Sequence, residues 1–301
     1  MNALEVQRIA AFSDGLQGGN PAGVWIGAAL PPDAAMQRVA HDIGYSETAF
    51  AAPVGEGWRV RYFSPESEVP FCGHATIALG AALAAAHGEG SYALVLNDAR
   101  ITVEGRRTAG PGGAPLVSVA LQSPPTHSRP APAAAVERAL ALFGYRAEDL
   151  DPRLPPALAH GGAPHLVLAL RSRALLAAMH YDLDAGRAFM RELGIVTVVL
   201  AWAESSRLFH TRNPFAAGGV YEDPATGAGT AALAGYLRDL GWPHGGAIDV
   251  VQGEDMGMRS RLHAAIGPDT GGSIRVSGTA RPLQIFTTEN IYCPKAGFVN
   301  L

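Results

Sequence analysis

The chain has 301 residues, 48% hydrophobic and 17% charged, roughly twice the usual domain length, which excludes a disordered polymer and leads us to expect two units around a sizeable core. The net charge is −4 and the 23 basic residues are scattered arginines with one lysine, Lys295, so no nucleic-acid surface and no pyridoxal Schiff base is expected. Two cysteines, Cys72 and Cys293, make no disulfide framework, and neither a signal-like leader nor an apolar run of about 18 residues is evident, so we expect a cytoplasmic protein without a membrane segment.

In chain order, alternating apolar residues predict strands over 3–12, 48–52, 58–63, 93–96, 101–104 and 116–121, with a polar-faced helix over 32–43. Residues 75–86 (ATIALGAALAAA) carry no charge, and a helix apolar on every side must be surrounded by other elements. The Pro-rich stretch 123–132 reads as a linker. Beyond it come helices over 133–143 and 184–193, the latter capped by Asp184 and stopped by Gly194. Strands over 165–170, 196–201, 207–211, 247–252, 261–266 and 273–276 surround a second small-residue helix over 226–237. A shift of 150 places lays Ala75, Thr76, Ala78 and Leu83 on Ala225, Thr226, Ala228 and Leu233, and an Arg-x-Phe (Arg61 to Phe63, Arg207 to Phe209) precedes each block. The pattern predicts a duplicated α+β chain, each half a mostly antiparallel sheet rolled around a central buried helix. The halves are expected over 1–125, which the C-terminal segment 278–301 can complete, and over 126–277.

Familiar site motifs are missing. There is no phosphate-binding G-x-x-x-x-G-K, no third glycine after Gly227 and Gly229, and no H-E-x-x-H. His160 and His165, five apart, share no helical face, so no metal site is expected. Gly44-Tyr45-Ser46-Glu47-Thr48 is not a G-x-S-x-G elbow. What stands out is a set of polar residues where apolar elements begin. Glu47 opens a strand, as a solvated loop acid or, in a closed apolar cleft, as an acid/base. His74 precedes the first buried helix, as a cap, a packed core residue or a functional group. Asp223 before Pro224 reads first as an N-cap. The two helix starts, Gly73-His74-Ala75 and Thr226-Gly227-Ala228, offer free amide N–H groups suited to a substrate carboxylate.

The ordered series Gly19-Asn20-Pro21-Ala22-Gly23-Val24, Ser46-Glu47-Thr48-Ala49-Phe50, Cys72-Gly73-His74-Ala75-Thr76, Glu222-Asp223-Pro224-Ala225-Thr226-Gly227 and Gln252-Gly253 resembles the phenazine-biosynthesis PhzF-like family, within the diaminopimelate-epimerase-like fold. The resemblance implies an active site between the halves, no cofactor and no metal, a homodimer, and an isomerase of a small cyclic or unsaturated carboxylic acid of the dihydro-3-hydroxyanthranilate type. It assigns Glu47 as the acid/base, with His74 and Asp223 as supporting catalytic groups. Asn20, Gly73, Ala75, Thr226, Gly227 and Ala228 are expected around the substrate. The chain departs from the family at Ala228, where a serine is usual, and at Gly257-Met258-Arg259-Ser260, where G-R-P-S is usual. Cys72 stands where related racemases carry a thiol, and a helix start would lower its pKa. An amino-acid racemase using Cys72 is therefore one alternative reading. The 150-place shift pairs Cys72 with Glu222 rather than with a second cysteine, which leaves that mechanism without a partner. A non-catalytic ligand-binding protein is another alternative.

Overall fold

The computed structural model describes residues 4–287. Cys293 and Lys295, and the last part of the C-terminal segment expected to complete the first half, lie outside the described residues.

Strand pairing closes one ring and builds a second that shares its last strand. In the first, Glu5–Ser13 pairs with Asn20–Ile26, then Thr48–Val54, Gly57–Phe63, Gly90–Val95, Arg100–Ala109 and Pro115–Pro125 follow in order. Ser273–Thr287 then bridges Pro115–Pro125 back to Glu5–Ser13. In the second ring, His127–Pro130 pairs with Ala157–His160, followed by Pro164–Ala169, Thr197–Ala203, Leu208–Phe215, Ala247–Gln252 and Ser260–Ile266. It too ends on Ser273–Thr287, which runs unbroken across position 277 and belongs to both rings. The rings repeat each other in sense. Each has a parallel pair spanned by helix (Asn20–Ile26 with Thr48–Val54; Pro164–Ala169 with Thr197–Ala203), an antiparallel pair, and then a parallel pair spanned by its central helix.

The central helices are Gly73–His87 and Gly227–Leu240. Every residue from His74 to Ala84 is buried, as an uncharged helix requires. Small residues let the barrel close tightly: a methyl group on Gly105 would stand 2.8 Å from the carbonyl oxygen of Gly80 in the helix. One apolar core runs through both rings and includes both helices, from Ile77 and Leu83 to Leu233 and Leu237.

Several local expectations need correction. The stretch 123–132 is no free linker, since His127–Pro130 is a paired strand and Pro115–Pro125 runs into it. Asn20–Ile26, absent from the predicted strands, is a paired strand in the first ring. The cap of Leu183–Leu193 is Asp182, whose carboxylate accepts the Ala185 N–H at 2.8 Å, not Asp184; Gly194 does end that helix in a left-handed conformation. Nor is Asp223 an N-cap. It ends strand Val220–Asp223, and Thr226 caps the second central helix, as Cys72 rather than His74 caps the first.

These caps also correct the register of the duplication. At the helix starts Cys72 corresponds to Thr226 and His74 to Ala228, a shift of four beyond 150 that a different intervening loop length produces. Arg61 to Phe63 ends its strand while Arg207 to Phe209 begins the corresponding one, so that match is fortuitous.

Candidate active site

The two central helices start face to face: a methyl on Gly73 would stand 3.9 Å from the Cα of Gly227. Over these starts lies a cavity of about 400 Å³ lined by Glu47, Cys72, Gly73, His74, Asp223, Thr226, Gly227 and Ala228, with Phe71, Phe215, Val196 and Pro164 as apolar wall. It has the size and mixed lining of a small-molecule site. Among the described residues no lysine or arginine lines it. A second hollow, of about 740 Å³, contains none of the predicted site residues, and its Asp14 is already paired with Arg261 and Arg259.

Glu47 sits one residue before strand Thr48–Val54, its backbone carbonyl held by the N–H of Gly23 at 3.2 Å. Its side chain is only 14% exposed, so the solvated-loop reading falls away. Oε2 lies 3.4 Å from Nε2 of His74, and the Ser46 hydroxyl lies 3.3 Å from the same nitrogen. The other imidazole nitrogen, Nδ1, is 3.2 Å from the Cys72 sulfur. Burial, the carboxylate of Glu47 and, more weakly, that of Asp223 push the Cys72 thiol well up, although the Ala75 N–H opposes this. The expectation of a lowered thiol pKa at the helix start is therefore overturned: desolvation and two carboxylates outweigh the amide dipoles. A protonated thiol donates to Nδ1, which leaves the Nε2–H facing Glu47.

Asp223 is fully oriented. Asn20 Nδ2 donates to Oδ1 at 2.7 Å, Thr226 Oγ1 donates to Oδ2 at 2.5 Å, and Gln252 Nε2 donates to the Asp223 carbonyl at 2.6 Å. Burial pushes its pKa up to about 6 against the opposing pull of His74, Thr226 and Asn20. Asn20 thus reaches the site through Asp223, and Ala75 lies buried one residue beyond His74 in the helix. Behind Asp223, buried Glu222 takes hydrogen bonds at 3.1 and 2.6 Å from Arg212, whose remaining guanidinium N–H groups reach the carbonyls of Ala177 and Met179. This brace fixes the strand that carries Asp223.

Sequence reasoning missed part of the lining. His165 is buried, bonded through Nδ1 to Thr197 Oγ1 at 2.8 Å, and pushed down to about 3 by burial and then His160. Cys72 belongs with Glu47 and His74, a grouping that no motif spacing marks. Gln252 stood in a quoted motif without a role. Arg259, the displaced arginine, reaches Asp14 at 3.2 Å and does not line the cavity.

In the corrected register the second ring does not repeat the Glu47–Cys72–His74 cluster, although Asp223 and His165 bring titratable groups to the cavity from that side. The parallel ladder that begins Gly23 with Thr48 in the first ring begins His165 with Thr197 in the second, which puts Val196 where Glu47 stands. Ala228 and Thr226 take the places of His74 and Cys72.

Residues 9–284 match the family model described as phenazine biosynthesis-like protein, PhzC-PhzF, and the chain belongs to this family. It is 34% identical over 77% of its length to an uncharacterized isomerase of Deinococcus radiodurans, 76% of which is covered. It is 31% identical over 85% of its length to the trans-2,3-dihydro-3-hydroxyanthranilate isomerase of Pseudomonas aeruginosa, 88% of which is covered. The fold matches the crystal structure of a Bacillus anthracis phenazine biosynthesis protein of the PhzF family with a TM-score of 0.83, at 20% identity, over 96% of this chain and 99% of the other. The chain is an isomerase of this family with the expected α+β fold. No helix among the described residues is long and apolar enough to cross a membrane.

Proposed function

We propose that the protein moves a proton between two carbons of a small unsaturated cyclic carboxylic acid, of the dihydro-3-hydroxyanthranilate type, with Glu47 as the single acid/base and no cofactor. One observation carries this reading: Glu47 and His74 meet at 3.4 Å on one wall of the cavity, and their counterparts on the other are Val196 and Ala228. Val196 and Ala228 cannot exchange protons, and Asp223, the acid on that side, has both oxygens engaged by Asn20 and Thr226, so in this reading a proton taken from one carbon is returned to another by the carboxylate of Glu47. A racemase needs a base on each face of its substrate carbon, and the position corresponding to Cys72 is Thr226, so two-thiol chemistry lacks support.

In this reading the amides at Gly73, His74, Gly227 and Ala228 hold the substrate carboxylate, a role open to helix N-termini in a cavity that no arginine or lysine of the described residues lines. His74 orients Glu47, and Asp223, whose oxygens are already engaged by Asn20 and Thr226, is a supporting polar group. The apolar wall excludes water, which keeps the abstracted proton from exchanging. The cleft lies between halves 1–125 and 126–277, and the protein works as a cytoplasmic homodimer; size-exclusion chromatography with light scattering tests the dimer.

The experiment is proton NMR in D2O with trans-2,3-dihydro-3-hydroxyanthranilate, for the wild type beside Glu47→Gln. The starting vinyl signals should disappear with the wild type and persist with the variant, general-base loss being worth about 10²–10⁴ in rate. Signals that persist with the wild type overturn the substrate. Equal turnover by both proteins overturns the role of Glu47.

A further inference from the structure

The ligating atoms of Glu47, Cys72 and His74 all lie within 4.8 Å of one another. His74 Nε2 stands 3.4 Å from Glu47 Oε2 and 4.0 Å from the Cys72 sulfur. In a tetrahedral zinc site, metal–ligand bonds of about 2.0–2.3 Å set the donors about 3.4–3.6 Å apart; the Nε2–Oε2 pair already has that spacing, and the sulfur, now beside Nδ1 at 3.2 Å, has to turn toward Nε2 to complete the set. One sulfur, one imidazole nitrogen and one carboxylate oxygen form a set that suits zinc and its borderline-soft neighbours and suits magnesium or calcium poorly. The surroundings favour a cation: buried Asp223 is close enough to act on the same thiol, and no lysine or arginine of the described residues lines the cavity. All three residues line the cavity, so an ion held between them is reached from it.

We propose that Glu47, Cys72 and His74 form a binding site for one zinc-like divalent cation, and that its occupation silences the isomerase. On binding, the sulfur–metal bond forms as the Cys72 thiol proton leaves to solvent, with no change of oxidation state. The ion occupies the carboxylate oxygen and the imidazole nitrogen that proton transfer requires. Uptake of the ion is independent of the proposed function; only the silencing rests on it.

The test uses cobalt(II) as a visible probe on the full-length protein. One equivalent should produce a thiolate-to-cobalt charge-transfer band, which zinc abolishes by displacement and which Cys72→Ser and His74→Asn remove. Absence of uptake in equilibrium dialysis overturns the proposal, as does a band that survives in Cys72→Ser. Because either variant could misfold, the wild type is also alkylated with iodoacetamide under denaturant-free conditions, with and without zinc. Peptide mass mapping separates Cys72 from Cys293. Zinc should suppress labelling of Cys72 selectively, and equal labelling with and without it overturns the site. Silencing is read separately, by titrating zinc into the isomerase assay, where uptake without loss of turnover overturns that half alone.

Discussion

Asp223 should destabilise the fold in order to serve the site, and Asp223→Asn should show it. The carboxyl is buried and its pKa is pushed up to about 6, from 3.8 for the free group. A carboxyl raised on folding binds its proton more tightly in the folded chain. Stability therefore falls as pH rises from about 4 to about 6, and the full penalty persists above that. At about 1.4 kcal/mol per pH unit the penalty is about 3 kcal/mol. Asparagine keeps the shape and removes the charge, but its amide faces either Asn20 or Thr226, both donors to the present carboxylate. That mismatch takes back about 1 kcal/mol, leaving a net gain of about 2 kcal/mol at pH 8. Unfolding entropy for a chain of this size is about 0.6 kcal/mol per degree, so Tm should rise by about 3 °C. Calorimetry at pH 8 and pH 4.5 checks this: the advantage of Asp223→Asn should be present at the first and vanish at the second. Differences between the two proteins cancel other titrations, such as that of buried His165, whose depressed pKa stabilises the fold as pH rises. A variant less stable than the wild type at pH 8, or a pH-independent difference, refutes the reasoning.

Glu222→Gln should strip the charge partner from buried Arg212, leaving Asp255 at 3.9 Å as a distant substitute. The expected loss is about 3 kcal/mol, read as a Tm lowered by about 5 °C, and the double variant Arg212→Met/Glu222→Leu should recover most of it. Phe12, the one non-glycine residue with positive φ (59°) among the described residues, places its ring 3.5 Å from the methyl position of Gly227 at the start of the second central helix. Removing that ring should cost about 3 kcal/mol or more, yet Phe12→Gly should unfold at higher temperature than Phe12→Ala, because glycine relieves about 1 kcal/mol of left-handed strain. Equal melting temperatures would show that the backbone there stores none.

Much of this architecture can be read from composition alone, because a helix without a charge has few places to be. The runs around Ala81 and Ala232 are such helices, and both lie in the centre of a ring. Polar residues at the ends of apolar elements were visible for the same reason: Glu47, His74 and Asp223 interrupt apolar runs, and all three line the cavity. What escaped was relative placement. Loops of unequal length hid the correspondence of Cys72 with Thr226, so the unrepeated cluster could not be seen before the ladders were paired. Residues 20–26 begin Asn-Pro-Ala-Gly, a composition typical of turns, yet pairing on both sides makes them a strand. The prolines of 123–132 misled in the same way. The Glu47–Cys72–His74 cluster arises from a loop and a helix start 25 residues apart in sequence, a distance no motif spacing encodes.

The strand Ser273–Thr287 has a consequence for biosynthesis. Since it closes the first ring and is the last strand of the second, neither can be completed until almost all of the described chain has left the ribosome. Its partners begin at residue 5, so the first strand waits for the last with its pairing edge open. Such distant pairing makes folding slow and all-or-none, and it makes the two halves one cooperative unit despite their internal symmetry. Nascent chains that stop short of Ser273 should remain protease-sensitive throughout, and chains extended past Thr287 should acquire protection in both halves together.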